Sequence, residues 1–563
     1  MHYFWNNRNL HKHLMKTLVL DIETTLDHNT IWCCVTLHRE TNDITVWRSA
    51  QGLKEYLNNA TSIIFHNGFA FDAPLLNRLW GTQIRKSQCQ DTLLLSRLSD
   101  SSRDGGHSLD AWGKTLGFEK IDFSDYDGGL TEDMVTYCIR DVELTSKVFD
   151  VLVAEIQKNK IGPEAVKLEY EVQVILSEME RNGFKLDAPY AQTLLCEIKT
   201  EMAEIEEALQ KIFPPITTER VSEKTGKRLK DDVEVFNVGS RQQISKRLMS
   251  KGWKPTKTTE KGQIIVDETI LSEVSLPEAK PIARYLTLQK RASQLDSWLE
   301  KLGEDGRVHG KVIGFGAVTG RATHSSPNMA QVPATRAVLG KEFRSCWTVE
   351  SGNVLVGVDL SGIELRCFAH YLNDEAYINE TVYGDVHERN KQAFGVETRD
   401  LAKTVLYATL YGASPTKVGK VIGATPKQGA DIINRFCKAV PAYGKLKSKV
   451  ERLAEKGTLP GLGGYQLKVR SAHSSLNTLL QSAGAIISKQ WLVQIKKNLT
   501  AKRIPYRMVA WVHDEVQIET PMEHGDMVGE VVVHSAAEVA DILQFRCPIG
   551  AEYHVGKNWA EVH

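Results

Sequence analysis

The sequence predicts a multidomain chain that combines α/β and α+β units, and three observations point to it. At 563 residues it exceeds what one ordinary hydrophobic core accommodates, and the length suggests roughly three or four domains. Its C-terminal half contains two stretches, VLVGVDLSGIELRCFAHY (354–371) and MVAWVHDEVQIE (508–519), in which a carboxylate sits at the end or bend of an apolar, β-branched run that reads as a buried strand. Ahead of them, short strand-like runs alternate with helical periods up to about residue 160, and long helical periods follow to about 330. Carboxylates such as Asp359, Asp514 and Glu515 are too costly to bury unpartnered, so they call for a metal ion, a basic partner or a shifted pKa.

Composition narrows the class. Lys+Arg and Asp+Glu both number 70, so the formal charge is zero and any nucleic-acid-binding surface must be local. Residues 1–160 carry 17 basic and 21 acidic side chains against 53 and 49 in the remainder, a weak asymmetry that fits an acidic metal site ahead of a more basic grip. Nine cysteines without a Cys-x-x-Cys pair argue against a zinc finger or a disulfide scaffold, and the expected location is a reducing cytoplasm. No apolar run reaches the roughly 18 residues of a membrane span, and none reads as a signal peptide.

Residues 1–14, MHYFWNNRNLHKHL, have no period and no acidic residue, and are expected to form a disordered leader before a first domain that starts at Met15. LVLDIETT follows as a strand. Its pleat puts Asp21 and Glu23 on one face. IIFHNGFAFDAPLL predicts a strand over 63–65, a turn at Asn67-Gly68 and a helix that carries Asp72 near its start. In MVTYCIRDVELTSKVF, Tyr137 and Asp141 lie one helical turn apart. Each feature alone is bland, but Asp-x-Glu, Asn-Gly-x-x-x-Asp and Tyr-x-x-x-Asp in that order resemble the three exonuclease motifs of the DnaQ-like proofreading superfamily. The resemblance implies an RNase-H-like domain over 15–160. There Asp21, Glu23, Asp72 and Asp141 bind two divalent metals at a 3′ terminus, and Tyr137 positions the attacking water in place of a histidine such as His107.

The next region predicts helices over 164–183 and 190–213, the first ending at Asn182-Gly183. A polar Lys/Glu-rich stretch at 217–234 reads as an exposed hairpin or loop. FNVGSRQQISKRLMSKGW and IARYLTLQKRASQLDSWLEKL add helical segments with interleaved Arg and Lys, which suit phosphate contacts. The turn-rich GAVTGRATHSSPNMAQVP carries Arg321.

After Asp359, SGIELR places Glu364 near a helix start, and GDVHERN contains His387. ETRDLAKTVLYATLYGAS predicts a helix with Thr398 as its N-cap and Arg399, Lys403, Tyr407 and Tyr411 in a stripe four residues apart. Two cations suit a polyphosphate and two aromatic rings a base and sugar.

Arg-x-x-x-Lys-x-x-x-Tyr-x-x-x-Tyr-Gly between VDLSGIELR and VHDE resembles motif B, between motifs A and C, of the family A (polymerase-I-like) DNA polymerases. The strings ERNGF, GAVTGRATH, LNTLLQSAGA, AWVHDE and NWA bring it nearest to the replicative polymerases of short-tailed T-seven-like phages, over 15–563. The resemblance implies a right-hand architecture with a palm antiparallel sheet and helical fingers and thumb: thumb and start of the palm at 161–330, palm at 331–372, fingers at 373–475 and palm again at 476–563. It implies catalytic Asp359 and Asp514 holding two Mg²⁺, replaceable by Mn²⁺, with Glu515 in support. Arg399, Lys403, His387, Tyr407 and Tyr411 would bind the nucleotide, and Glu364 would exclude a ribose 2′ hydroxyl. Arg321 and Gln481 would meet the template–primer minor groove, with His513 near the primer end. Tyr407, where other members carry Phe, implies ready use of dideoxynucleotides.

Primer–template DNA and deoxynucleoside triphosphates are the implied partners, and a phage origin adds a helicase-primase, a single-strand-binding protein and the host cytoplasm. A monomer is expected. The phage relatives carry a long thumb insertion that captures thioredoxin; only 217–234 occupies that place here, so thioredoxin is not expected to bind. A nuclease whose second half only binds DNA is the alternative, and an RNA-making or non-catalytic template binder is a third reading.

Overall fold

The computed structural model describes residues 16–220, 224–469 and 471–563, so the 1–14 leader and the expected start at Met15 lie outside the described residues. The first unit is a five-stranded sheet ordered Asp43–Trp47, Ile31–His38, Thr17–Thr24, Ser62–Phe65, Cys89–Asp91. Its first three strands are antiparallel, and the last two continue parallel to the central one. The central strand buries Leu18, Val19, Leu20 and Ile22, so both of its faces are covered. The helix Glu132–Lys158, N-capped by Thr131, packs across the sheet with Met134, Cys138, Val142 and Thr145 buried.

The helix Pro163–Asn182 begins with proline at its first turn and stops at Gly183, where φ is 61°. A Cβ at Gly183 would lie 2.8 Å from the His309 ring and 2.9 Å from Arg307, so both conformation and space demand glycine. This helix lies on the strand Arg507–Val512 and the helix Ser475–Ala501, which fastens the first unit to the C-terminal half. The expected helix over 190–213 is found as Ala188–Ile212 and packs on Ala279–Glu300. Between them Ile216–Thr218 pairs antiparallel with Asp232–Glu234, so the polar stretch begins and ends on paired strands. The helical segment read in FNVGSRQQISKRLMSKGW spans only Arg241–Ser250, because Ser240 caps it by accepting from the Gln243 amide. Phe213, Phe236, Val238, Ile244 and Leu248 form the local core of this region.

The C-terminal half is built on a four-stranded antiparallel sheet ordered Arg507–Val512, Glu515–Pro521, Asn353–Leu360, Ala551–Gly556. The helix Gly525–Ile542 packs on it and on Ser475–Ala501. Between the first two strands of this half in chain order lies a helical block that includes Ile363–Leu372, Val386–Phe394 and Arg399–Leu410. Among the described residues no helix is long and apolar enough to cross a membrane.

Candidate active sites

Asp359 lies one residue from the end of the strand Asn353–Leu360, flanked in register by Glu515 and Glu552. The Leu360 amide donates to the Asp514 carbonyl at 3.0 Å, which brings the turn 512–515 against the same strand end; His513 makes that turn with φ of 59°. Asp359 and Asp514, 155 positions apart in sequence, thus become neighbours through strand pairing. Burial, followed by the charges of Asp514 and Glu515, pushes the Asp359 carboxyl up to about 7. Burial also raises Asp514, against its own backbone hydrogen bond and the fields of His513 and Arg321.

Glu515 behaves differently. Burial pushes it upward, but His563, Arg344 and Trp559 outweigh burial and hold it below the usual glutamate range. Trp559 Nε1 donates to Oε1 at 2.5 Å and Gln517 Nε2 to the same oxygen at 2.6 Å; His563 Nδ1 lies 3.2 Å from Oε2. With both oxygens engaged, Glu515 is braced beside the aspartates. Arg344, Trp559 and His563 were missed in the sequence: each is remote from motif C, and nothing in its local pattern marks what it meets.

Glu364, in the first turn of the helix Ile363–Leu372, joins three predicted residues. Arg321 Nη2 donates to its Oε1 at 2.8 Å, and the Tyr411 hydroxyl donates to Oε2. Tyr407, whose hydroxyl is raised by burial and then by Glu364 and Asp514, stands beside them, its ring 6.1 Å from that of Tyr411. On the helix Arg399–Leu410, capped by Thr398 as expected, Arg399 and Lys403 project to solvent. His387 faces both: burial, then the two cations, lower its pKa, and its buried Nδ1 has no partner. Arg399 is paired with Asp385, the N-cap of the helix Val386–Phe394, at 2.9 Å. Gln481 is half-buried on Ser475–Ala501, and among the described residues no hydrogen bond ties it to these groups.

A second acid cluster occupies the first sheet. Ligand atoms of Asp21, Glu23 and Cys138 lie within 4.8 Å of one another. The Ile22 amide donates to Asp72 Oδ1 at 3.2 Å, so Asp72 joins at the start of its helix. Burial, then the charge of Asp141, pushes Asp21 up to about 7; burial, then Asp21 and Asp141, pushes Glu23 up to about 10. Asp72 and Asp141 are also raised, chiefly by burial. The four predicted carboxylates therefore share one site. Tyr137 joins them through Lys120, whose Nζ is 2.8 Å from its hydroxyl and 2.5 Å from Asp141 Oδ2. Lys120 was missed because it comes from a loop with no periodic pattern. His107 is engaged instead by Ser96, at 2.9 Å.

Both clusters offer hard carboxylate oxygens, the donors that suit Mg²⁺ or Mn²⁺. Asp141 Oδ1 is buried without a hydrogen-bond partner, an orphaned acceptor that a cation would satisfy.

Residues 215–561 match the model of DNA polymerase family A. The chain belongs to that family. This family A chain is 31% identical to the DNA-directed DNA polymerase of Escherichia phage T7 over 652 residues, covering 89% of the chain and 92% of the relative. It is 31% identical to that of Enterobacteria phage T3, with the same coverage. These likenesses bear out the resemblance read from the motifs. Its fold matches the POL domain of Pol1 from M. smegmatis, solved in complex with DNA primer-template and dNTP. The TM-score is 0.81, and 97% of this chain and 96% of the other are covered at 18% identity.

Proposed function

We propose that this family A chain is a template-directed replicative DNA polymerase with a 3′–5′ proofreading exonuclease. In this reading 15–160 is the exonuclease domain, 161–330 the thumb and start of the palm, 331–372 and 476–563 the palm, and 373–475 the fingers. The observation that carries it is the presence of two separate acid clusters, of which only the one around Asp359 and Asp514 is accompanied by a cationic and aromatic helix. A simple metal hydrolase has no use for that helix.

At both centres bound Mg²⁺ would lower the pKa of the attacking oxygen and stabilise charge on attacking and leaving oxygens of an in-line displacement. Asp359 and Asp514 would hold it at the synthetic centre; Asp21, Glu23, Asp72 and Asp141 would hold it at the hydrolytic one. Arg399, Lys403 and His387 bind the incoming triphosphate, Arg399 exchanging Asp385 for phosphate. Tyr407 and Tyr411 border the sugar and base, and Glu364, braced by Arg321 and Tyr411, crowds the place of a ribose 2′ hydroxyl. Arg321 and Gln481 meet the minor groove, His513 stands near the primer end, and Glu515 keeps the turn of Asp514 in place. At the other centre the Tyr137 hydroxyl orients water.

Labelled primer–template with Mg²⁺, with and without deoxynucleotides, tests the assignment. Asp21→Ala with Glu23→Ala should abolish primer digestion and keep extension, whereas Asp359→Ala should do the reverse. Loss of both activities in either variant refutes the assignment. Persistent digestion with no extension by the unaltered protein would favour the nuclease reading.

A further inference from the structure

The carboxylate cluster of the first sheet has a sulfur neighbour that Mg²⁺ chemistry does not require. Cys138 is fully buried on the helix Glu132–Lys158, and its Sγ lies 3.4 Å from Asp21 Oδ2 and 3.6 Å from the Asp21 carbonyl oxygen. The ligand atoms of Asp21, Glu23 and Cys138 all lie within 4.8 Å of one another, close to the spacing of donors around a single small ion. Cys33, on the neighbouring strand, hydrogen-bonds the Cys138 thiol and is itself fully buried. Lys120 takes Asp141 Oδ2, while Asp141 Oδ1, in a side chain 6% exposed, has no hydrogen-bond partner. An unpaired acceptor and a sulfur beside two more carboxylates favour a cation over water. Thiolate selects borderline and soft ions such as Zn²⁺ and Cd²⁺ over Mg²⁺.

We propose that Cys138, with Asp21 and Glu23, binds a thiophilic divalent cation, and that this ion displaces Mg²⁺ and arrests primer digestion while primer extension continues. The arrest rests on the proofreading reading; the binding does not. On binding, a sulfur–metal bond replaces the S–H bond and the proton leaves to solvent, with no change of oxidation state.

The test titrates Cd²⁺ into the full chain without Mg²⁺ and follows the ultraviolet sulfur-to-cadmium charge-transfer band. The band should saturate at one ion per chain in the unaltered protein and in Cys196→Ser, which removes an exposed thiol, and be missing from Cys138→Ser. In Mg²⁺, Zn²⁺ should slow digestion of a labelled single strand. Relative to its own zinc-free rate, Cys138→Ser should need about ten-fold more Zn²⁺ or higher for the same inhibition. Primer extension by each variant reports folding, and Cys138→Ala replaces Cys138→Ser if the latter cannot extend. A band that persists in Cys138→Ser, no band in the unaltered protein, or equal zinc sensitivity overturns the proposal. A band lost only in Cys33→Ser assigns the sulfur to Cys33 and also overturns it. If the unaltered protein shows the band but digests nothing in Mg²⁺, the proofreading reading fails and the thiolate site stands.

Discussion

Asp359 keeps its proton to about 7 in the folded chain against an ordinary 3.8, because partial desolvation and the charges of Asp514 and Glu515 disfavour its ionised form. Between those values the unfolded chain has released a proton that the folded chain retains. Stability from this group is therefore complete below the ordinary value and lost as pH rises through about 7. The thermal midpoint of the metal-free protein should fall from about pH 5 to about pH 8, with Asp21 adding to the decline. Asp359→Asn should flatten part of it, and Mg²⁺ at the higher pH should restore the midpoint; an identical slope in the variant would sink the assignment. Tyr407 makes a second case. In the proposed polymerase reading its hydroxyl, near Glu364 and Asp514, would offer a hydrogen-bonding group where a dideoxynucleotide lacks its own. Tyr407→Phe should reduce dideoxy relative to deoxy incorporation by about ten-fold, one buried hydrogen bond's worth. Single-nucleotide incorporation measures it, and unchanged discrimination contradicts it.

Two elements are clamped by a buried charge pair. Lys489 on Ser475–Ala501 and Glu169 on Pro163–Asn182 are 0% and 3% exposed, with Nζ 2.5 Å from Oε1. The Tyr465 hydroxyl donates to the same oxygen, and the Lys489 ammonium lies 4.6 Å from the Phe315 ring. Phe315 precedes the turn that carries Arg321 in sequence. Lys489→Met leaves a carboxylate buried without its cation and should cost about 3–5 kcal/mol, whereas pairing it with Glu169→Leu should recover most of the loss. Urea denaturation of the three proteins decides; a single variant as stable as the parent would mean that the pair is solvated.

At the scale of the molecule, the first sheet and the C-terminal sheet contribute to one continuous core. The alignment with the phage T7 polymerase runs over 652 positions against the 563 residues here, so at least 89 residues of that relative have no counterpart in this chain. We propose that thioredoxin is not a partner, the strands Ile216–Thr218 and Asp232–Glu234 standing where the sequence places the phage relatives' insertion. Primer extension on a long single-stranded template should give the same product length with and without thioredoxin, and marked lengthening would refute it.

The sequence by itself determined the elements and the reactive side chains. Strand pleat put Asp21 beside Glu23, helical period aligned Arg399 with Lys403 and Tyr407, and Thr398 capped as read, because each depends on contacts within a few residues. Motif order also revealed that there were two acid sets. Only the tertiary structure decided which distant groups attend them. Lys120 on Asp141, Cys138 on Asp21, and Trp559, Arg344 and His563 around Glu515 are meetings set by how sheets and helices pack. That packing is non-local: it fixes the charge, donor type and burial of each carboxylate, and no spacing along the chain encodes it.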